Sequence, residues 1–154
     1  MNVELLEARW RIGYVFTSEL PALARDLMAA GLERPALTML AAMPADELQE
    51  EGRRTFERAL RELGHGGLSV SDAALVVARH YAQLLLERRL RARAAVKAIA
   101  LVRWKGGSDV DALLSPFEHL DREYERAADG PLGGRLTLRL DRETRREART
   151  LVMP

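Results

Sequence analysis

Apolar side chains recur every three or four residues along most of the chain, which is the period of an amphipathic α-helix. This pattern predicts a first helix over residues 3–16, a second helix that begins near Ser18 and a third that begins at Pro35. A fourth helix is predicted over residues 45–63, because the apolar side chains of its second half share one face. Isoleucine, valine and aromatic residues are sparse, so the composition gives little support to β-structure.

Glycines mark the boundaries of the central helices. Three of the four residues at 64–67 are glycine, which predicts a turn because glycine is costly inside a helix. A fifth helix is predicted to follow this turn, and helical spacing then continues to the glycine pair at 106–107. The basic stretch at 87–91 is compatible with a continuous helix or with a bend, so residues 72–105 form either one helix or two.

The last third of the chain mixes a clear helix start with a different period. Residues 115–118 read Ser-Pro-Phe-Glu, which predicts a helix start with a serine cap, proline in the first turn and a glutamate that closes a capping box. Residues 129–134 are predicted to form a loop or hinge. Leucines alternate with polar residues over 136–140, which predicts a short strand or extended segment, and a last helix is predicted over residues 141–152.

These elements define the expected fold class, which is all-α. We expect a compact bundle of about six or seven helices, with one short extended segment near the C-terminus as the only other element. A chain of 154 residues with a 47% hydrophobic fraction has enough apolar surface for one ordinary domain, so a single helical domain is predicted over residues 1–154.

Composition limits the environment in which we expect the protein. The chain has no cysteine, which excludes disulfides and thiolate chemistry and fits a reducing compartment. No apolar run approaches the roughly 18–20 residues that span a bilayer. The first residues carry acids before any apolar stretch, unlike a signal peptide. The sequence therefore predicts a cytoplasmic protein that does not insert into a membrane.

No pattern of catalytic or ligand-binding residues stands out. The three histidines, at positions 65, 80 and 119, do not occur in a metal-ligand motif. The glycine-rich turns lack the spacing of phosphate-binding loops, and no nucleophile elbow is present. The sequence therefore predicts a protein that is not an enzyme and that has no cofactor and no metal site.

Charge is distributed unevenly along the chain, although the formal net charge is only +1. Residues 1–51 hold nine acids against four arginines, and residues 109–129 hold seven acids against two arginines. Residues 87–105 hold seven cations against one acid, and residues 135–154 hold six arginines against three acids.

Three explanations fit this distribution. In the first, acidic and basic segments lie side by side and neutralise each other at a mixed surface. In the second, an acidic face binds a basic protein partner, since complementary charge steers association. Its candidate residues are Glu47, Glu50, Glu51, Asp121 and Glu125. In the third, cations of the 87–105 segment contact nucleic-acid phosphates while an indole ring stacks on a base. Its candidate residues are Arg88, Arg89, Arg93, Lys97 and Trp104.

Two stretches carry a resemblance to known proteins, SELPALARDLMAAGLERPALTMLAAM and, after a longer polar helix, SDAALVVARHYAQLLLE. Over roughly the first two-thirds of the chain this layout resembles small helical bacterial proteins of unknown function. Some proteins of this kind resemble immunity proteins, which neutralise a cognate toxin. The resemblance implies a protein-binding or regulatory module and assigns no residue a role. Nucleic-acid binding through residues 87–105 is the alternative.

Overall fold

The computed structural model describes residues 2–128 and 133–153. Eight α-helices and no β-strand occur in this part of the chain, so the all-α class is confirmed and the expected six or seven helices are too few. The chain divides into two compact units, Met1–Ser69 and Val70–Pro154, which we call the first and second units. A single domain over the whole chain stays a prediction. No helix in the described ranges has both the length and the apolar character needed to cross a bilayer.

The first unit contains four α-helices around one apolar core. They are α1 (Val3–Arg11), α2 (Leu20–Ala29), α3 (Pro35–Ala41) and α4 (Arg53–Glu62), and a π-helical turn at Leu48–Gly52 precedes the last of them. The core includes the fully buried side chains of Leu20, Leu27, Leu37, Leu40 and Phe56. Helix α1 is shorter than the predicted 3–16, because Gly13 reverses the chain with a φ of 76°.

Three helices of the first unit end in the same hydrogen-bonded turn, the Schellman motif, which needs one residue in the left-handed region. That residue is glycine each time, at Gly13, Gly31 and Gly64, with φ between 76° and 84°. At α4 the Gly64 N–H donates to the Arg61 carbonyl at 3.0 Å, and the next N–H donates five residues back at 2.8 Å. Glycine adopts this conformation without steric cost, so these stops agree with the sequence.

The glycine turn at 64–67 is confirmed, and a buried carboxylate on α1 holds it. Glu7 is only 2% exposed. Its Oε1 accepts a hydrogen bond from the Leu68 N–H at 2.9 Å, and its Oε2 lies 3.3 Å from His65 Nδ1. Arg11 Nη2 also donates to the Gly66 carbonyl at 2.7 Å. Because buried polar groups are expensive when unpaired, these contacts fix the turn against α1.

Replacing Glu7 by alanine should lower the free energy of unfolding by about 1–3 kcal/mol, because the Leu68 N–H loses its acceptor and the His65 ring its partner. Urea unfolding followed by circular dichroism measures this change. Glu7→Gln is the control, since it keeps an oxygen acceptor and should lose less. If Glu7→Ala unfolds at the wild-type urea concentration, the buried carboxylate does not hold the turn.

The second unit contains four longer helices that pack side by side. They are α5 (Val70–Leu86), α6 (Ala92–Gly106), α7 (Asp111–Ala128) and α8 (Gly133–Val152). Helices α5 and α7 each pack against both α6 and α8. The core between them includes the fully buried side chains of Val77, Leu85, Ile99, Leu114 and Phe117.

Residues 72–105 form two helices, with a break at 87–91. The Arg88 N–H donates to the Leu85 carbonyl at 3.0 Å and the Arg89 N–H donates to the Leu84 carbonyl at 2.8 Å, so α5 also ends in a Schellman motif. Here the left-handed residue is Arg88, with a φ of 60°, the single non-glycine residue with positive φ in the described ranges. A side chain in this conformation costs about 1 kcal/mol, which makes this helix end unusual.

Helices α5 and α6 approach each other closely at Gly106. A Cβ atom built on this buried glycine would lie 2.7 Å from the Ala74 Cβ and 2.6 Å from a methyl carbon of Val110. The Gly106 carbonyl also accepts a hydrogen bond from the Ser71 hydroxyl at 3.1 Å. The predicted helix end at 106–107 is confirmed. The two glycines have different roles: no side chain fits at Gly106, whereas Gly107, with a φ of 74°, forms the turn.

The predicted extended segment at 136–140 is wrong, because α8 runs without interruption from Gly133 to Val152. Of the predicted loop at 129–134, residues 133–134 begin this helix and residues 129–132 lie outside the described residues. The buried positions of α8 follow a helical period. They are Leu140, Thr144, Ala148 and Leu151. Leu136 and Leu138 are 42% and 61% exposed, so the alternating leucines do not form a buried strand face.

The predicted helix start at residues 115–118 is also wrong. Helix α7 already begins at Asp111, after a 3₁₀ turn at Ser108–Val110, and Pro116 lies inside it. Proline lacks the N–H that would bond to the carbonyl four residues earlier, so it normally disfavours this position. The burial of Leu114 and Phe117 on either side outweighs that local cost.

Candidate anion-binding cleft

The second unit has an open cleft whose charged lining is entirely basic. It has a volume of about 670 Å³ and lies between the α5–α6 turn and the C-terminal half of α8. Two leucines, Leu86 and Leu90, line it together with five arginines. The arginines are Arg88, Arg89, Arg91, Arg145 and Arg149. We call this surface the arginine cleft.

The helical period of α8 places two of the five guanidinium groups. Arg145 and Arg149 are four residues apart, so they lie one above the other on the same side of the helix. Thr144 and Ala148, which immediately precede them in the sequence, are fully buried. The two arginines therefore flank the packed face of α8, at the edge where side chains reach the surface.

The positive charge of the cleft is largely uncompensated. Arg89 Nη1 lies 3.4 Å from Glu87 Oε2, and both side chains are well exposed. Within the described residues, the other four arginines have no carboxylate at ion-pair distance. Helix α6 begins beside them at Ala92 without a side-chain cap, so its free N–H groups add partial positive charge. A concave surface of one sign concentrates ions of the opposite sign.

The left-handed backbone of Arg88 is a second unusual feature of the arginine cleft. The three Schellman motifs of the first unit use glycine at the left-handed position, whereas α5 has an arginine there. Such residues persist only where the surrounding structure enforces them, and they are enriched at functional sites. In this conformation the Arg88 side chain lines the wall of the cleft.

The structure separates the candidate nucleic-acid residues into two groups. Arg88 and Arg89 line the cleft. Arg93, Lys97 and Trp104 lie outside the cleft lining, on the exposed side of α6. Arg91, Arg145 and Arg149 also line the cleft but are not among the candidates predicted from the sequence. The spacing of the last two within a helix could have suggested a shared face, but only the packing of α8 brings them to the α5–α6 turn.

The candidate acidic residues fall in both units and are partly neutralised. Glu47, Glu50 and Glu51 lie in the first unit, where Arg54 is 2.7 Å from a Glu50 oxygen and 3.9 Å from a Glu51 oxygen. Asp121 lies on α7, and its Oδ1 is buried with no hydrogen-bond partner in the described part of the chain.

Glu125, the fifth acidic candidate, is bound to one of the basic candidates. Its Oε1 accepts a hydrogen bond from Arg93 Nη2 at 3.0 Å, across the contact between α6 and α7. This hydrogen bond and the charge of Arg93 lower the pKa of the Glu125 carboxyl, and Lys97 adds a smaller effect in the same direction. Two residues assigned to competing hypotheses thus neutralise each other.

Replacing Arg93 by methionine should raise the pKa of the Glu125 carboxyl toward its ordinary value, because the carboxylate loses its donor and its nearest cation. Carboxyl NMR titration measures the change, and Lys97→Met should produce a smaller one. The lowered pKa means that this ion pair stabilises the fold above the ordinary glutamate pKa and is lost as the pH falls through the lower folded value. An unchanged pKa in Arg93→Met would contradict the assignment.

A smaller pocket of about 170 Å³ lies between α7 and α8 and is lined in part by His119, Glu123 and Glu143. Glu123 is 2.5 Å from Arg126 and Glu143 is 3.7 Å from Arg146, so both carboxylates have arginine partners. Over the described ranges, no three histidine or carboxylate side chains lie where they could share a metal ion.

No protein-family model, no curated protein and no solved structure matches the chain. The resemblance to small helical bacterial proteins and to immunity proteins stays a prediction. The arginine cleft must therefore be interpreted from its own geometry and charge.

Proposed function

We propose that the protein binds nucleic acid, and that the arginine cleft contacts the phosphate backbone. The observation that carries this proposal is the convergence of five arginines from two separate elements on one open surface, with no acid among the described residues that line it. Guanidinium groups bind phosphate oxygens with paired donors and are weakly hydrated, which makes arginine well suited to this contact.

The shape of the cleft favours a polymer over a small anion. One guanidinium group can bind one phosphate through paired donors, so five guanidinium groups over a cleft of about 670 Å³ offer more positive charge than a single phosphate neutralises. The low net charge does not oppose this proposal, because ion pairs elsewhere, such as Arg93 with Glu125, leave the excess positive charge concentrated in the cleft. In this proposal the protein is a cytoplasmic binding module, without chemistry or cofactor.

The test is the salt dependence of binding to a fluorescent DNA duplex, measured by anisotropy. If four or five phosphates are neutralised, the logarithm of the association constant should fall with the logarithm of salt concentration with a slope of roughly −3.5 to −4.5. Poly-glutamate of similar length is the control polyanion and should bind more weakly, since its carboxylates are spaced differently. Absence of binding at low salt both to the duplex and to a single strand of the same length, or a flat salt dependence, would refute the proposal.

Binding of a basic protein through the acidic residues, with toxin neutralisation as its sharpest form, remains a second hypothesis. The geometry supports it less, because Glu50, Glu51 and Glu125 already have arginine partners. Glu47 and Asp121 have no such partner among the described residues, and only Glu47 of the two is exposed, so it is the acid on which this hypothesis now depends most. Slower association of a basic partner after Glu47→Lys would support the hypothesis.

A further inference from the structure

The exposed face of α6 carries an apolar patch between two cations. Trp104 is 73% exposed and Leu101 is 55% exposed, although both are large apolar side chains. Lys97 lies one turn before Leu101, and Lys105 follows Trp104 directly. All four residues share one side of the helix. Neither lysine has a carboxylate within ion-pair distance in the part of the chain that the structure describes.

The indole ring of Trp104 is supported from one side. The Arg103 guanidinium lies 5.6 Å from the ring centroid, a cation–π contact. Arg103 is itself anchored, since its Nε is 3.1 Å from Asp111 Oδ1 and its Nη1 contacts Glu118. Its side chain is only 19% exposed. A fixed guanidinium beside the ring limits the rotation of the indole and leaves the exposed part of its surface available.

We propose that α6 binds single-stranded nucleic acid by stacking an unpaired base on Trp104. This inference rests on the proposed function, because the phosphates on either side of that base would contact Lys97 and Lys105. Base–aromatic stacking beside a line of cations is how proteins bind single strands without reading their sequence. The bases of a duplex are already stacked on each other, so a duplex cannot use this ring without distortion.

The distance from Trp104 to the arginine cleft suits an oligonucleotide. Arg91 immediately precedes α6 and Trp104 lies thirteen residues later, which is about 20 Å along the helix axis. Lys97 lies between them on the exposed side. One strand can therefore contact the cleft, the lysine and the ring in succession.

The test compares three probes of equal length in the same buffer. They are a mixed-sequence single strand, prepared as DNA and as RNA, an abasic strand that keeps the phosphates without bases, and the matching duplex. Wild-type protein should bind both single strands with bases more tightly than the abasic strand and the duplex. Trp104→Ala should weaken binding of the single strands by roughly 5- to 150-fold and leave binding of the abasic strand unchanged.

The chain offers a matched control, because it contains only two tryptophans. The rings of Trp10 and Phe56 pack edge to face in the first unit, with their centroids 5.0 Å apart. Because Trp10 is not part of the proposed binding surface, Trp10→Phe should leave single-strand affinity unchanged. In that background all indole fluorescence comes from Trp104, and a stacked base should quench it. Melting temperatures of both variants establish that the fold is intact.

The outcomes separate this inference from the proposed function. If wild-type protein binds no probe, the proposed function fails and the stacking inference fails with it. The stacking inference is overturned if the abasic strand binds as tightly as the strand with bases. It is also overturned if Trp104→Ala leaves single-strand affinity unchanged and no quenching occurs. In both cases the proposed binding of nucleic acid by the arginine cleft is retained.

Discussion

Replacing Arg145 and Arg149 together by glutamate should weaken nucleic-acid binding by about 100-fold or more at low salt. The double change turns into anions two of the four arginines of the cleft that have no ion-pair partner among the described residues. The salt dependence should also become shallower by roughly two units of slope, since each lost phosphate contact removes about one. Anisotropy titrations at several salt concentrations measure both effects.

The matched control for this experiment lies on the same helix. Arg142 and Arg146 are exposed on α8 but do not line the arginine cleft, and their double replacement by glutamate changes the net charge by the same amount. It should weaken binding by less than about tenfold, through the general field alone. Equal losses in the two double variants would mean that total charge matters and that the cleft is not a site.

Replacing Gly106 by alanine should lower the free energy of unfolding of the second unit by about 1–3 kcal/mol. The added methyl group would meet the Ala74 Cβ, which is fixed to its backbone, so α5 and α6 must move apart. Alanine is normally the better helix former, and the expected sign is therefore opposite to the local preference. Thermal and urea unfolding measure the change.

Gly134 provides the comparison within the same unit. It is exposed near the start of α8, and a Cβ there would have no atom within 4 Å. Gly134→Ala should be neutral or stabilising by up to about 1 kcal/mol. Ala74→Gly should partly restore the stability of Gly106→Ala by returning space on the α5 side. If Gly106→Ala leaves the free energy of unfolding unchanged, α5 and α6 do not pack as closely at Gly106 as described.

Most helices could be predicted from the sequence because their buried positions repeat with the helical period and their ends carry glycine. The end of α5 could not, since Arg88 adopts a conformation that arginine rarely takes and only tertiary packing enforces it. Residues 136–140 were misread because the leucines there alternate, whereas the buried positions that align α8 come later, from Leu140 to Leu151.

The candidate site was harder to predict than the fold. Sequence shows which segments are basic but not which charges meet: Arg93 and Glu125 are 32 positions apart and form an ion pair. Arg145 and Arg149 are more than fifty positions from Arg91 and line the same cleft. The charge blocks were therefore compatible with mutual neutralisation, with protein binding and with nucleic-acid binding, while the location of the basic cleft depended on how α8 packs.

The left-handed backbone of Arg88 implies a trade-off between the stability of the fold and the proposed binding of nucleic acid. Glycine at this position would relieve about 1 kcal/mol of strain while removing one cation from the cleft. A variant chosen only for thermal resistance would therefore favour Arg88→Gly, and under the proposed function it should bind nucleic acid more weakly as it becomes more stable.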